Sequence, residues 1–85
     1  MTHNTLDNMP CVYQIWTQKH GAQAVVYRDL NEAVRNAQLE AQGLGYRNVT
    51  ATVEGERALV RGYDRNAGER HWVVSRLYVS LGAAE

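Results

Sequence analysis

Apolar and polar positions alternate along most of this chain, with one interruption of helical period. Residues 12–18 are rich in β formers, with Tyr13, Ile15 and Thr17 on one face and Val12 and Trp16 on the other. Lys19-His20-Gly21 interrupts, and residues 22–28 resume β character around Val25, Val26 and Tyr27, which predicts a hairpin with Gly21 at positive φ. Asp29 and Glu32 then form a D-x-x-E cap ahead of Leu30, Ala33, Val34, Ala37, Ala41 and Leu44, which fall on one stripe at 100° per residue. The spacing predicts a helix from about residue 30 to 42, its small alanines lying close on a sheet, with Gly43 or Gly45 as the left-handed stop. After it, Val49, Ala51 and Val53 alternate with polar residues in the manner of a strand covered on one side. Gly55-Glu56 suits a tight turn, residues 57–64 form a fourth strand, residues 64–69 a longer turn, and residues 70–80 a fifth strand. The predicted fold is α+β, a single helix packed on an antiparallel β-sheet in the order ββαβββ.

The first ten residues are polar, non-periodic and closed by the only proline, so they read as a flexible arm; residues 11–81 form the domain and residues 82–85 a frayed end. With 85 residues and 45% hydrophobic content there is material for one small core, and contact with a second copy would add to it. Asn48-Val49-Thr50 matches the glycosylation sequon but reads as part of a strand.

Charge narrows the classes of partner. Nine basic and nine acidic residues cancel, whereas a dedicated nucleic-acid binder carries a basic excess or stripe. All the basic residues but Lys19 are arginines, whose planar guanidinium makes bidentate and stacking contacts. Cys11 is the only cysteine, so no intramolecular disulfide forms, and a cytoplasmic location is the expectation. No stretch approaches the ~20 apolar residues of a membrane span, and the start lacks the basic and apolar regions of a signal peptide.

Candidate chemistry is sparse. Cys11 and His20 stand nine residues apart along the proposed first strand and turn, roughly 30 Å, too far for a thiolate and its base. His71 and Ser75 share a strand face about 13 Å apart, beyond direct proton transfer. His3, His20, His71 and Cys11 are scattered and lack the close pairs of zinc sites. The run from Asp64 to Gly68 has its glycine one place too early for a calcium loop, and Gly43-Leu44-Gly45 follows a helix where a phosphate loop precedes one. The expectation is no catalytic residue, no metal and no cofactor.

Residues of interface type are better represented. Arg61 and Tyr63 share a face of the fourth strand, and Trp72, Arg76 and Tyr78 share a face of the fifth. A hairpin would place the two sets side by side, as one Arg and aromatic patch if the helix covers the opposite face; buried core is the competing assignment for the aromatics. On the helix, Leu39 lies opposite the apolar stripe near Arg35, either as a partner contact or, if Gly43 is the left-handed cap, as a staple on Leu44.

The capped helix LNEAVRNAQLEAQGLG followed by the hairpin ALVRGYDRNAGERHWV resembles the layout of small phage-encoded anti-CRISPR proteins that block type I surveillance complexes. That resemblance spans residues 27–74 and assigns no residue a role. It implies a non-enzymatic inhibitor that docks on a Cas subunit or occupies its nucleic-acid groove. The leading expectation is thus a protein-binding module, an inhibitor from a phage or mobile element, that docks on a host defence complex. Two alternatives stand beside it: a nucleic-acid binder using the Arg and aromatic face, disfavoured by zero net charge, and an enzyme subunit whose site forms at a dimer interface.

Overall fold

A computed structural model describes residues 11–66 and 68–78. The assigned arm at residues 1–10, the end at residues 82–85 and the last two positions of the expected fifth strand lie outside the described residues. The elements are β1 (Cys11–Thr17), β2 (Gly21–Tyr27), α1 (Leu30–Gly43), β3 (Arg47–Glu54), β4 (Arg57–Asp64) and β5 (Gly68–Tyr78), in the expected order ββαβββ. They make one five-stranded sheet in the spatial order β2-β1-β5-β4-β3, antiparallel at every pairing. The first and last strands pair at its centre, so one hairpin and one three-stranded meander close on each other with α1 laid across one face.

Both ends of α1 follow from local chemistry. The Asp29 carboxylate accepts a hydrogen bond from the Glu32 backbone N–H at 3.1 Å, satisfying one of the orphan donors of the first turn. At the other end Gly45, not Gly43, takes the left-handed conformation, with φ 93°. Its N–H donates to the Gln42 carbonyl and that of Tyr46 to the Ala41 carbonyl, the paired bonds of a Schellman cap. Leu44, the C-cap residue, keeps helical backbone but is exposed, and Tyr46 beyond it packs against the core.

The core lies between α1 and one face of the three central strands. Ala33, Val34, Ala37 and Ala41 meet Tyr13 and Ile15 of β1, Ala58 and Val60 of β4, and Trp72 and Val74 of β5. Three helix alanines retain no exposure, so the helix backbone approaches the sheet closely and the bulk comes from Ile15, Val60, Val74 and Trp72. Gly62 completes the fit, since a Cβ there would stand 2.9 Å from the Tyr46 Cβ. Tyr46 in turn meets Trp72 edge to face, with ring centroids 5.3 Å apart.

Each outer strand is irregular. The β1–β2 register shifts between Gln14 and Trp16, and the β3–β4 register shifts between Arg47 and Thr50, where Asn48 adopts φ 53°. Bulges of this kind bend an edge and interrupt its row of free N–H and C=O groups, which hinders pairing with another chain.

Candidate functional site: the uncovered sheet face

The helix covers one face of the sheet, and among the described residues no element covers the other, here called the open face. Register determines which side chains each face receives. Val60 stands opposite Trp72 and Ala58 opposite Val74 on the covered face, while Arg61 stands opposite His71, Tyr63 opposite Glu69 and Leu59 opposite Val73 on the open one. On β1, Val12, Gln14 and Trp16 join the open face opposite Leu77, Ser75 and Val73.

The open face divides into two chemically different halves. Over β3, β4 and the start of β5 it is charged: Thr50, Arg61 and His71 form one row across the strands, and Arg47, Tyr63 and Glu69 the next. The Glu69 carboxylate lies 3.8 Å from both the Arg61 Nη1 and the His71 Nε2, with all three side chains about half exposed. Tyr63 projects beside them, 52% exposed, over a shallow depression lined by Asn48, Thr50, Arg61, Gly62 and Glu69. Over β2, β1 and the end of β5 the face is uncharged, with Trp16 and Val26 each 44% exposed and Leu77 exposed beside Val12.

The expected single patch of Arg61, Tyr63, Trp72, Arg76 and Tyr78 is therefore corrected. Arg61 and Tyr63 are on the open face, whereas Trp72, Arg76 and Tyr78 alternate with it on the helix side. Trp72 is core, 3% exposed, with its Nε1–H donating to the Glu40 carboxylate at 3.3 Å. Arg76 and Tyr78 engage each other at the far end of that face. The Arg76 Nη2 donates to the Tyr78 hydroxyl at 2.5 Å, its guanidinium lies 4.9 Å from the ring centroid, and its Nη1 is 3.7 Å from Glu56. Glu56 also accepts the Tyr13 hydroxyl, and this hydrogen bond, together with burial and the carboxylate's charge, pushes the phenol up to about 12.

Arg35 and Leu39 are exposed on the outer side of α1 as expected. With the left-handed residue at Gly45, the cap pairs Tyr46 with Ala41, so the proposed staple of Leu39 on Leu44 has no place in it; both leucines are exposed, at 57% and 64%.

Two residues of the surface and its surroundings carry little sequence signal. Trp16 stands opposite Val73 on the open face, and a large aromatic on the second face of an alternating strand is its available signal. Glu40 has no sequence signal: it sits late in a helix, where the dipole disfavours a carboxylate, held by Trp72 and by the Gln23 Nε2 at 2.9 Å. It lines a cleft of about 220 Å³ with Lys19, His20, Arg70 and His71, cations and carboxylates together.

Cys11 and His20 lie at opposite ends of the β1–β2 hairpin, and His71 and Ser75 are separated by Val73 along the open face. Among the described residues no group of three or more His, Cys, Asp or Glu is placed to hold a metal ion, and no helix is long and apolar enough to cross a membrane. Comparison with known proteins finds no matching family model, no matching curated protein and no matching solved structure.

Proposed function

We propose that the chain is a non-enzymatic protein-binding module whose contact surface is the charged half of the open sheet face, with Arg61 and Tyr63 as its anchors. One observation carries this: Arg and Tyr, two of the types most enriched at binding hot spots, stand in adjacent rows on a strand face that no described element covers. The Arg61–Glu69 pair supports it, because an exposed ion pair contributes at most about 1 kcal/mol. The guanidinium can leave Glu69 for a carboxylate on a partner at little cost. Placement on strands, with neighbours fixed by the ladder, pre-organises both side chains and lowers the entropy lost on binding.

The cations of this half do not form a phosphate track. Glu69 stands against Arg61 and His71, and Glu54 stands opposite Arg57 in the β3–β4 register. Alternating signs favour a protein surface of mixed charge over a nucleic-acid backbone.

The narrower proposal, an inhibitor docking on a host defence complex, rests only on the resemblance of the sequence layout to that of anti-CRISPR proteins. Calorimetric titration of a type I surveillance complex with the wild-type chain, Arg61→Ala and Tyr63→Ala tests it. Binding by the wild type with a loss of about 2 kcal/mol or more in each variant is expected. Absence of binding removes the type I complex as partner, and binding that both variants retain removes Arg61 and Tyr63 as anchors.

A further inference from the structure

We infer that the uncharged half of the open face is a self-association surface, where a second copy of this chain packs sheet against sheet. It is separate from the Arg61 and Tyr63 anchors and does not depend on them.

The first ground is the pattern of the central strands. An antiparallel strand with one face in water reads apolar inward and polar outward. Here β1 sends Tyr13, Ile15 and Thr17 to the helix and Val12, Gln14 and Trp16 outward, while β5 sends Trp72 and Val74 inward and Val73, Ser75 and Leu77 outward. Val12 meets Leu77, and Trp16 meets Val73, in register. These are strands built with apolar contacts on both faces.

The second ground is charge, which selects the occupant. The two seven-residue strands CVYQIWT and GAQAVVY contain no Asp, Glu, Lys or Arg, although 21% of the chain is charged. In a two-fold contact a side chain near the axis meets its own copy, so a charge there would oppose itself. The half with Arg61, Arg57 and Glu69 would bring a charged side chain onto the axis; the Val12, Trp16, Val26 and Leu77 half places neutral groups on neutral groups. A foreign charged partner would find nothing complementary on this half.

The bulges direct association to the face. Both outer strands carry a register shift, and the Gln14 side chain spans the irregular stretch of β2 to donate to the Gln23 carbonyl at 2.8 Å. Edge-to-edge extension is hindered there, while among the described residues nothing comparable guards the face.

Size sets the strength. Three strands at about 4.8 Å spacing and seven residues at about 3.4 Å give a plan of about 14 by 24 Å. With side-chain relief this yields about 500 Å² of accessible surface per copy, the lower limit of a specific interface. The dimer is therefore weak, forming in the micromolar range, with the two sheets about 10 Å apart and the helices outermost.

Sedimentation velocity of the full chain over a dilution series, from near-millimolar to low micromolar, tests this. The wild type should pass from dimer to monomer on dilution, with little change between low and high salt. Trp16→Lys and Val26→Lys should stay monomeric at the highest concentration with native circular dichroism, and Leu39→Lys, an exposed leucine on the helix, should dimerise as the wild type does. Val26 lies on an outer strand, so its variant carries the test if Trp16→Lys fails to fold. A wild type monomeric throughout overturns the inference, as does a dimer retained in both face variants, lost in Leu39→Lys, or dissolved by salt. None of these outcomes bears on Arg61 and Tyr63, whose test is binding to a foreign partner.

Discussion

Trp16 and Trp72 lie on neighbouring strands, Trp72 opposite Thr17, the residue after Trp16, and so they point to opposite faces of the sheet. Trp72 is sealed beneath α1 while Trp16 stands open to solvent. The same alternation separates the core of this protein from the surface proposed for contact.

Ala37 has no exposed surface where α1 lies on the sheet. Ala37→Glu would drive a carboxylate into that contact with no partner, at a cost of about 3 kcal/mol or more, enough to unfold a domain of this size. Circular dichroism at room temperature should show loss of the native signal; an unchanged thermal midpoint would contradict the packing described.

Gly62→Ala addresses the sheet side of the same core. The added Cβ would stand 2.9 Å from the Tyr46 Cβ, and Tyr46 is held by the helix cap and by its edge-to-face contact with Trp72. Destabilisation of about 1–3 kcal/mol is expected from chemical denaturation. Gly43, with open space at its Cβ and no left-handed backbone, is the control: Gly43→Ala should stabilise by up to about 1 kcal/mol.

The Tyr13 hydroxyl gives a signature in alkali. Its folded value near 12 exceeds the unfolded value of 10.0, so folding favours the protonated phenol. The stabilisation is complete below about pH 10 and is lost as the pH rises through about 12. Denaturation series across that window should show wild-type stability falling more steeply than that of Tyr13→Phe. Parallel curves would place the phenol outside the hydrogen bond with Glu56.

Leu39→Lys should leave the melting temperature within the range of a neutral surface change, about 0.5 kcal/mol, because the helix-end cap uses Tyr46 and Ala41. A loss of more than about 1 kcal/mol would restore Leu39 as a staple on Leu44.

The elements were legible because each carried its own period: the D-x-x-E cap and alanine stripe for α1, and alternation in the strands. The site was legible only in part. Arg61 and Tyr63 share a face, as do Trp72, Arg76 and Tyr78, but joining the two sets required the register of the β4–β5 hairpin. The observed ladder pairs Val60 with Trp72 and Arg61 with His71, and a slip of one residue would have exchanged the faces. A clue existed, since Ala58, Val60 and Gly62 are small or apolar while the alternate positions Arg57, Arg61 and Tyr63 are charged or polar, with Leu59 the exception. The left-handed residue at the helix end was ambiguous between two glycines two positions apart, and Gly45 brought Tyr46, not Leu44, to the core. Glu40 could not be foreseen, because its two donors come from β2 and β5.

Fluorine NMR of the chain labelled with 5-fluorotryptophan tests most directly which face is offered for contact, since the two tryptophans report the two faces separately. Trp16→Phe assigns the signals without touching the core. With rising protein concentration the Trp16 resonance should shift or broaden while the Trp72 resonance stays fixed. A fixed Trp16 signal over the whole range, or movement of Trp72 alone, would contradict the assignment of the uncharged half of the open face as the surface through which this protein self-associates.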